Sequence, residues 1–250
     1  MHRMPYASRS ATDHGPLQAA AAALAPVLSG LPRSARGAGW QDGLDLLATI
    51  AGLKPVCLVG RGFADAAWGA ALHRVAAEAG LPVLEAAPWF PSAEPGFLPD
   101  WYVAAAARRR ASPVTYLCRD AATRDSAAVL SAQGRVAPAD EAALLGYPLC
   151  CVEQHHRRAL EFERLVAEMI ERLAHGDRAH MARLAEAGVE PLPATEEEWQ
   201  RHESLAAVHP SRGTSVNPCD ACAADPASAA TQLAHRYARL AATAGYPPRT

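Results

Sequence analysis

Lysine is all but missing from this sequence: of 24 basic residues in a chain of 250, Lys54 alone is a lysine. Positive charge is carried by arginine, and with the many alanines this reads as a trait of a GC-rich coding sequence rather than of a mechanism. An excess of one charge sign is missing too. The 24 basic residues stand against 26 acidic ones, for a formal net charge of −2. That excludes the usual footprint of a nucleic-acid binder, a basic face with a high pI. The basic run Arg108-Arg109-Arg110 reads as a solvated helix end, with a phosphate or nucleic-acid contact as the alternative. No segment has the roughly 18 unbroken apolar residues of a membrane span, so no membrane role is expected. Residues 1–16 carry Arg, His and Asp where a secretory signal has an apolar stretch, and they read as a flexible tail. A cytoplasmic, reducing setting is therefore expected, where paired cysteines serve as metal ligands or redox groups more often than as structural disulfides. Walker, H-E-x-x-H and G-x-S-x-G signatures are absent, which sets aside the P-loop, zincin and hydrolase-elbow readings.

What is present is an ordinary globular composition, half apolar and one-fifth charged, long enough for one large domain or two small ones. Residues 17–25 are helix-prone, disturbed by Pro26 and finished by Gly30 and Pro32. A Gly-rich turn, Arg36-Gly37-Ala38-Gly39, precedes a short helix over 42–50. The apolar run Pro55-Val56-Cys57-Leu58-Val59 reads as a buried strand, 66–79 as a helix and 81–85 as a second strand. Such a unit predicts parallel strands joined by a right-handed crossover. Helices are expected over 101–110, 121–131 and 138–145, and a third strand over 113–118, ending at Arg119-Asp120. Cys57 and Cys118, in apolar strands, read as core residues. Beyond Gly146 the pattern turns helical: 152–175, 178–187, a helix capped by Thr195, and a last one capped by Asp225 with Pro226 at its first position, reaching residue 244. The expected fold is an α/β N-terminal part with a short parallel sheet (17–145), followed by a mainly α-helical C-terminal part (146–250).

Chemistry concentrates in two motifs. Gly146-Tyr147-Pro148-Leu149-Cys150-Cys151 runs into Val152-Glu153-Gln154-His155-His156, and Asn217-Pro218-Cys219-Asp220-Ala221-Cys222 answers it further on. Pro148 suits a helix start, so Cys150 and Cys151 should sit at a helix N-terminus, where a thiolate is favoured. Cys151 and His155 are spaced i,i+4 and share a face. Two residues between Cys219 and Cys222 let both sulfurs take one ion. The predicted site is therefore Cys150, Cys151, Cys219 and Cys222 with His155 as a fifth ligand or proton-handling neighbour. It suits zinc or iron, an iron–sulfur cluster included, with His209 a further candidate ligand. The plain alternative is that these cysteines merely fill space. His156, His175, His180, His202 and His235 read as solvated helix residues.

Gly146-Tyr147-Pro148-x-Cys150-Cys151-Val152, followed by Pro218-Cys219-x-x-Cys222 and a small-residue segment with Ser228, resembles a poorly characterised prokaryotic family, the archaeal-type domain of unknown function numbered 483. The resemblance covers roughly residues 140–240 and implies that the two cysteine motifs belong together; it lends no reaction.

Gly60-Arg61-Gly62, between a strand and a helix, is a candidate cofactor-binding turn, although the full G-x-G-x-x-G is broken at Asp65; a tight strand-to-helix turn is the alternative. With parallel strands, Gly60, Arg61, Arg119 and Asp120 would share one sheet edge, and a cleft there would take a small-molecule substrate. The leading expectation is an enzyme doing redox or sulfur chemistry at a thiolate-rich metal site. A non-catalytic protein with a structural four-cysteine zinc site, and a metal-free dithiol oxidoreductase or sulfur carrier using Cys219 and Cys222, are the alternatives.

Overall fold

Alanine and leucine at helical spacing run through most of the chain, and helices carry most of it. The computed structural model describes residues 15–59, 65–109, 114–206 and 218–247. In order these form α1 (Gly15–Gly30), α2 (Arg33–Ile50), β1 (Val56–Val59), α3 (Ala66–Glu78), β2 (Val83–Ala86), β3 (Phe90–Pro91), α4 (Asp100–Arg109), β4 (Val114–Cys118), α5 (Ala121–Gln133), β5 (Arg135–Val136) and α6 (Pro138–Leu145). Helices alone follow among the described residues: α7 (Leu149–Leu173), α8 (Arg178–Glu186), α9 (Glu196–Ala206), α10 (Asp220–Ala224) and α11 (Ala229–Ala244).

Two local expectations yield to packing. α1 continues through Pro26, because Ala20, Ala21, Leu24 and Leu28 bury one face against the rest of the core, which outweighs the roughly 3 kcal/mol that proline costs a helix interior. The Gly-rich stretch at 36–39 is no turn; it lies inside α2. A Cβ on Gly39 would come 2.6 Å from Leu31 Cδ1, and one on Gly43 would come 2.0 Å from Tyr246 Oη. These glycines serve close approach between elements, which a single sequence does not distinguish from a turn.

The sheet corrects the expected parallel arrangement. Its order is β1-β4-β2, with β4 antiparallel to both neighbours, Val56 opposite Cys118 and Val83 opposite Leu117. β1 and β2 do run the same way, but β4 lies between them. All five residues of β4 are buried, and a fully buried apolar run reads alike in a parallel core and in a central antiparallel strand. The parallel pairing among the described residues is the two-residue pair β3–β5. Because β4 is antiparallel, Arg119 sits beside Pro55, whose carbonyl accepts its amide at 2.8 Å. Val59, which leads toward Gly60, pairs with Thr115 at the opposite end. The parallel strand pairing on which the shared-edge cleft depended is thereby absent from the sheet, while Gly60 and Arg61 lie outside the described residues.

One core joins α1, α2, β1, α3 and α11, and Cys57, Cys151, Cys219 and Cys222 all belong to it. A second packs α4 and α8 on α7 through Tyr102, Leu165, Met169, Ile170 and Met181. A third, around Trp89 and Tyr116, holds the other face of the sheet. Thr195 caps α9 as expected, its Oγ1 accepting the Glu198 amide at 3.1 Å. Asp225 does not cap a long final helix: it accepts the Ala227 amide in a turn, and Ser228 caps α11 by accepting the Thr231 amide. The last helix thus starts three residues later than expected, at Ala229, and a separate short helix, α10, precedes it.

Two side-chain pairs, His156–Glu141 and Lys54–Asp45, place polar groups in the core. His156, expected to be solvated, is buried with its Nε2 hydrogen-bonded to Glu141 of α6, which also accepts from Trp89 Nε1 at 3.1 Å. The helical periodicity places His156 on the same α7 face as Val152, and that face meets α6. Lys54 is buried and ion-paired with Asp45. Burial alone would pull its ammonium down, but Asp45 and then Tyr147 hold it above its ordinary value. Partly buried Asp42 is pushed up to about 7, first by burial and then by the Asp45 charge, with Lys54 opposing.

Replacing His156 by leucine should cost roughly 3 kcal/mol, read as a lower denaturation midpoint, because Glu141 is left buried without its partner. For Asp42, below about pH 4 both folded and unfolded states hold the proton and nothing is lost. Between pH 4 and 7 the unfolded chain releases the proton and the folded one keeps it, so stability falls, and above 7 the full penalty stands. Asp42→Asn should accordingly gain on wild type by a few kcal/mol at pH 8 and by little at pH 4, in denaturant titrations at both.

Candidate metal centre

The thiol site begins with two short-range decisions. Gly146 ends α6 in a left-handed conformation, φ +73°, and Pro148 then opens α7 as its N-cap. Cys150 and Cys151 consequently occupy the first turn of α7, as the Pro148 start implies, the helix beginning three residues before the expected 152. On the other side, Cys219 is the N-cap of α10 and Cys222 its third residue. Both pairs stand at helix starts, where amides point outward and favour negative sulfur.

The fold brings the two halves together. The four Sγ atoms of Cys150, Cys151, Cys219 and Cys222 all lie within 4.8 Å of one another, with Cys150 exposed and the other three buried, a set that could hold a metal ion. Cys150 Sγ and Cys222 Sγ are 3.5 Å apart, and the Cys219 amide donates to Cys151 Sγ at 3.3 Å. Four soft thiols, without a carboxylate or imidazole in the group, suit a thiophilic ion rather than a hard one. The thiols differ in how firmly they hold their protons. Burial, then the Cys222 and Cys219 thiols against an opposing Cys219 amide, holds Cys151 far above the ordinary thiol value. Cys222 is raised as well, by burial and by Cys219. Burial pushes Cys219 up too, but the Cys222 amide and the neighbouring thiols outweigh it and bring Cys219 below its ordinary value. A bound cation inverts this balance, since a coordinating thiol gives up its proton.

Outer contacts orient these sulfurs, and sequence reading had missed most of them. From α7, Gln154 Oε1 accepts the Asp220 amide at 3.2 Å and Arg158 pairs with Asp220 at 3.3 Å, holding α10 against the thiol-bearing turn. The Cys222 carbonyl accepts from Ser228 Oγ at 2.8 Å and from Thr231 Oγ1 at 3.2 Å. Gln154 and Arg158 lie i,i+4 on α7, the available signal that they share a face.

The remaining predicted residues stand apart. His155 is exposed and outside the sulfur group. Gly60, Arg61, Gly62 and His209 lie outside the described residues. Arg119 and Asp120 pair with each other at 3.1 Å, and Asp120 caps α5 by accepting from the Thr123 amide and hydroxyl. His175 and His235 are exposed, His180 and His202 half-buried. Cys57 and Cys118 are fully buried, as core residues should be. An open groove of about 510 Å³ lies elsewhere, lined by Phe97, Glu161, Arg164, Gln200 and Arg201, roughly 15 Å along α7 from Cys151 at the helical rise. Among the described residues no helix is long and apolar enough to cross a membrane.

No protein-family model matches the chain, and neither the curated proteins nor the solved structures give a match. The chemistry of the site therefore stands on its own residues.

Ser228→Ala removes the α11 cap and one donor to the Cys222 carbonyl. It should lower stability by about 1 kcal/mol in thermal or denaturant unfolding, the usual cost of an N-cap.

Proposed function

We propose that the protein binds a single thiophilic metal ion, zinc by preference, through Cys150, Cys151, Cys219 and Cys222, and that this ion ties the start of α7 to the α10–α11 hairpin. The closeness of the four sulfurs carries the reading, every pair lying within 4.8 Å. A zinc tetrahedron with Zn–S of about 2.3 Å has sulfur–sulfur edges of about 3.8 Å. Small side-chain rotations suffice to reach it. An iron–sulfur cubane interposes iron and sulfide between its thiolates and asks for a wider set, so it fits less well. A lone iron ion would take the same four sulfurs. When bound, the ion supplies folding free energy by joining segments 68 residues apart, as structural zinc does.

A second reading rests on a separate observation. Cys150 is exposed while its three partners are buried, so one edge of the site can be reached by a small molecule. This favours redox or sulfur chemistry at that edge, by a metal- or thiol-dependent enzyme.

Metal analysis and an absorption spectrum of anaerobically purified protein separate the two. The expected result is about one zinc per chain, no visible band, and loss of cooperative unfolding on chelation. Cys219→Ser should lose the metal and much of the stability. A visible thiolate-to-iron band, with a fold that survives chelation, would favour the reactive site. Absence of any metal, together with a reducible Cys219–Cys222 bond, would overturn the proposal.

A further inference from the structure

Gly146 and Tyr147 stand directly before the thiol-bearing start of α7, yet neither offers a ligand to the sulfur group. What they touch is the corner 53–55 that leads from α2 into β1. A Cβ on Gly146 would lie 2.8 Å from Pro55 Cδ and 3.8 Å from the Leu53 carbonyl oxygen, and the residue has φ +73°. Turn and corner are therefore in contact where glycine is required both for its backbone and for its size. Next along the chain, Tyr147 Oη accepts from Lys54 Nζ at 2.8 Å. Lys54 is anchored on α2 from two directions: its ammonium is ion-paired with Asp45, and its amide donates to the Ala48 carbonyl at 3.1 Å. The sole lysine of the chain is thus spent inside the core, at a place where a methionine would fill the same volume.

Apolar residues of similar size commonly replace buried ion pairs without loss of stability. What an apolar residue does not supply is direction. A hydrogen bond from a fixed ammonium sets where the Tyr147 phenol lies, and with it the angle at which Pro148 starts α7. We infer that Asp45, Lys54 and Tyr147 are positioning residues of the thiolate site: Lys54, anchored on α2, holds Tyr147 and so aims the turn from which Cys150 and Cys151 project. The inference rests on the reading of the four thiols as a metal site. It also accounts for the Gly-Tyr-Pro half of the motif, which metal ligation alone leaves without a role.

Two variants of the full chain test it. Tyr147→Phe keeps the ring and removes the hydroxyl; the double change Asp45→Leu with Lys54→Met replaces the ion pair by apolar residues of similar volume. Each should bind Zn²⁺ roughly tenfold more weakly in competition with a chromophoric chelator, the usual cost of losing an outer partner of a metal ligand. Each should also shift the ligand-field bands of the Co²⁺-substituted protein, while the metal-free unfolding midpoint of Tyr147→Phe stays near that of wild type. Adding Tyr147→Phe to the double change should cost nothing more, because both act through one contact. Folded variants with Zn²⁺ affinity within about twofold of wild type, or losses that simply add, would overturn the inference. Should wild type take up neither Zn²⁺ nor Co²⁺, the metal reading falls and positioning is read from the sulfurs themselves. Diamide, which takes up the two hydrogens, would then be expected to form the Cys150–Cys222 disulfide several-fold more slowly in Tyr147→Phe; equal rates would reject the inference.

Discussion

Two helix starts have to meet if four sulfurs separated by 68 residues and more are to converge, and much of the C-terminal architecture serves that meeting. α7 carries the first pair at its start, α8 and α9 pack back along it, and α10 delivers the second pair to its first turn. The approach is held by a few directed contacts: Gln154 and Arg158 to Asp220 on one side, Ser228 and Thr231 to the Cys222 carbonyl on the other. α11 then fastens the hairpin to the N-terminal helices, with Tyr237, Leu240 and Tyr246 in the core shared with α1 and α2. At the end of that helix Trp40 Nε1 donates to the Pro247 carbonyl at 2.7 Å. Buried thiols are tolerable there while protonated, and a cation is what makes four thiolates tolerable.

The turn between α6 and α7 is braced from both sides by buried polar pairs. On one side Lys54 and Asp45 reach it through Tyr147; on the other His156 and Glu141 lock α7 to α6. Such pairs add little to net stability and much to geometry, since an unpaired partner in the core is costly and a misplaced one is unpaired. By contrast the ion pairs linking α7 to α9, Arg172–Glu198 and Arg201–Glu168, involve partly exposed arginines and contribute modestly. Fixing this turn by buried pairs rather than by surface ones keeps the spacing of the sulfurs that project from it.

Legibility in the sequence followed the range of the interaction. The thiol pairs, the Pro148 helix start, the Gly146 stop, the Thr195 cap and the burial of Cys57 and Cys118 all depend on neighbours within a few residues, and all could be read from the chain. The Asp225 cap failed because Ser228 and Thr231 compete for the same stretch, and their hold on the Cys222 carbonyl is what decides the break between α10 and α11. Gly39 was misread as part of a turn because close approach by Leu31 leaves no trace beside the glycine itself. His156 looked like one more solvated histidine; its partner lies fifteen residues earlier, on another helix.

By itself the sequence determined which groups are chemically soft and where helices begin, because residue identity and local backbone preference are enough for that. Tertiary structure alone decided that all four sulfurs share one place, that His155 stays outside the group, and that β4 enters the sheet antiparallel. It also decided that the one lysine lies inside the core against Tyr147. These outcomes depend on pairings between distant segments, and such pairings are settled by how whole faces bury against one another rather than by any single residue.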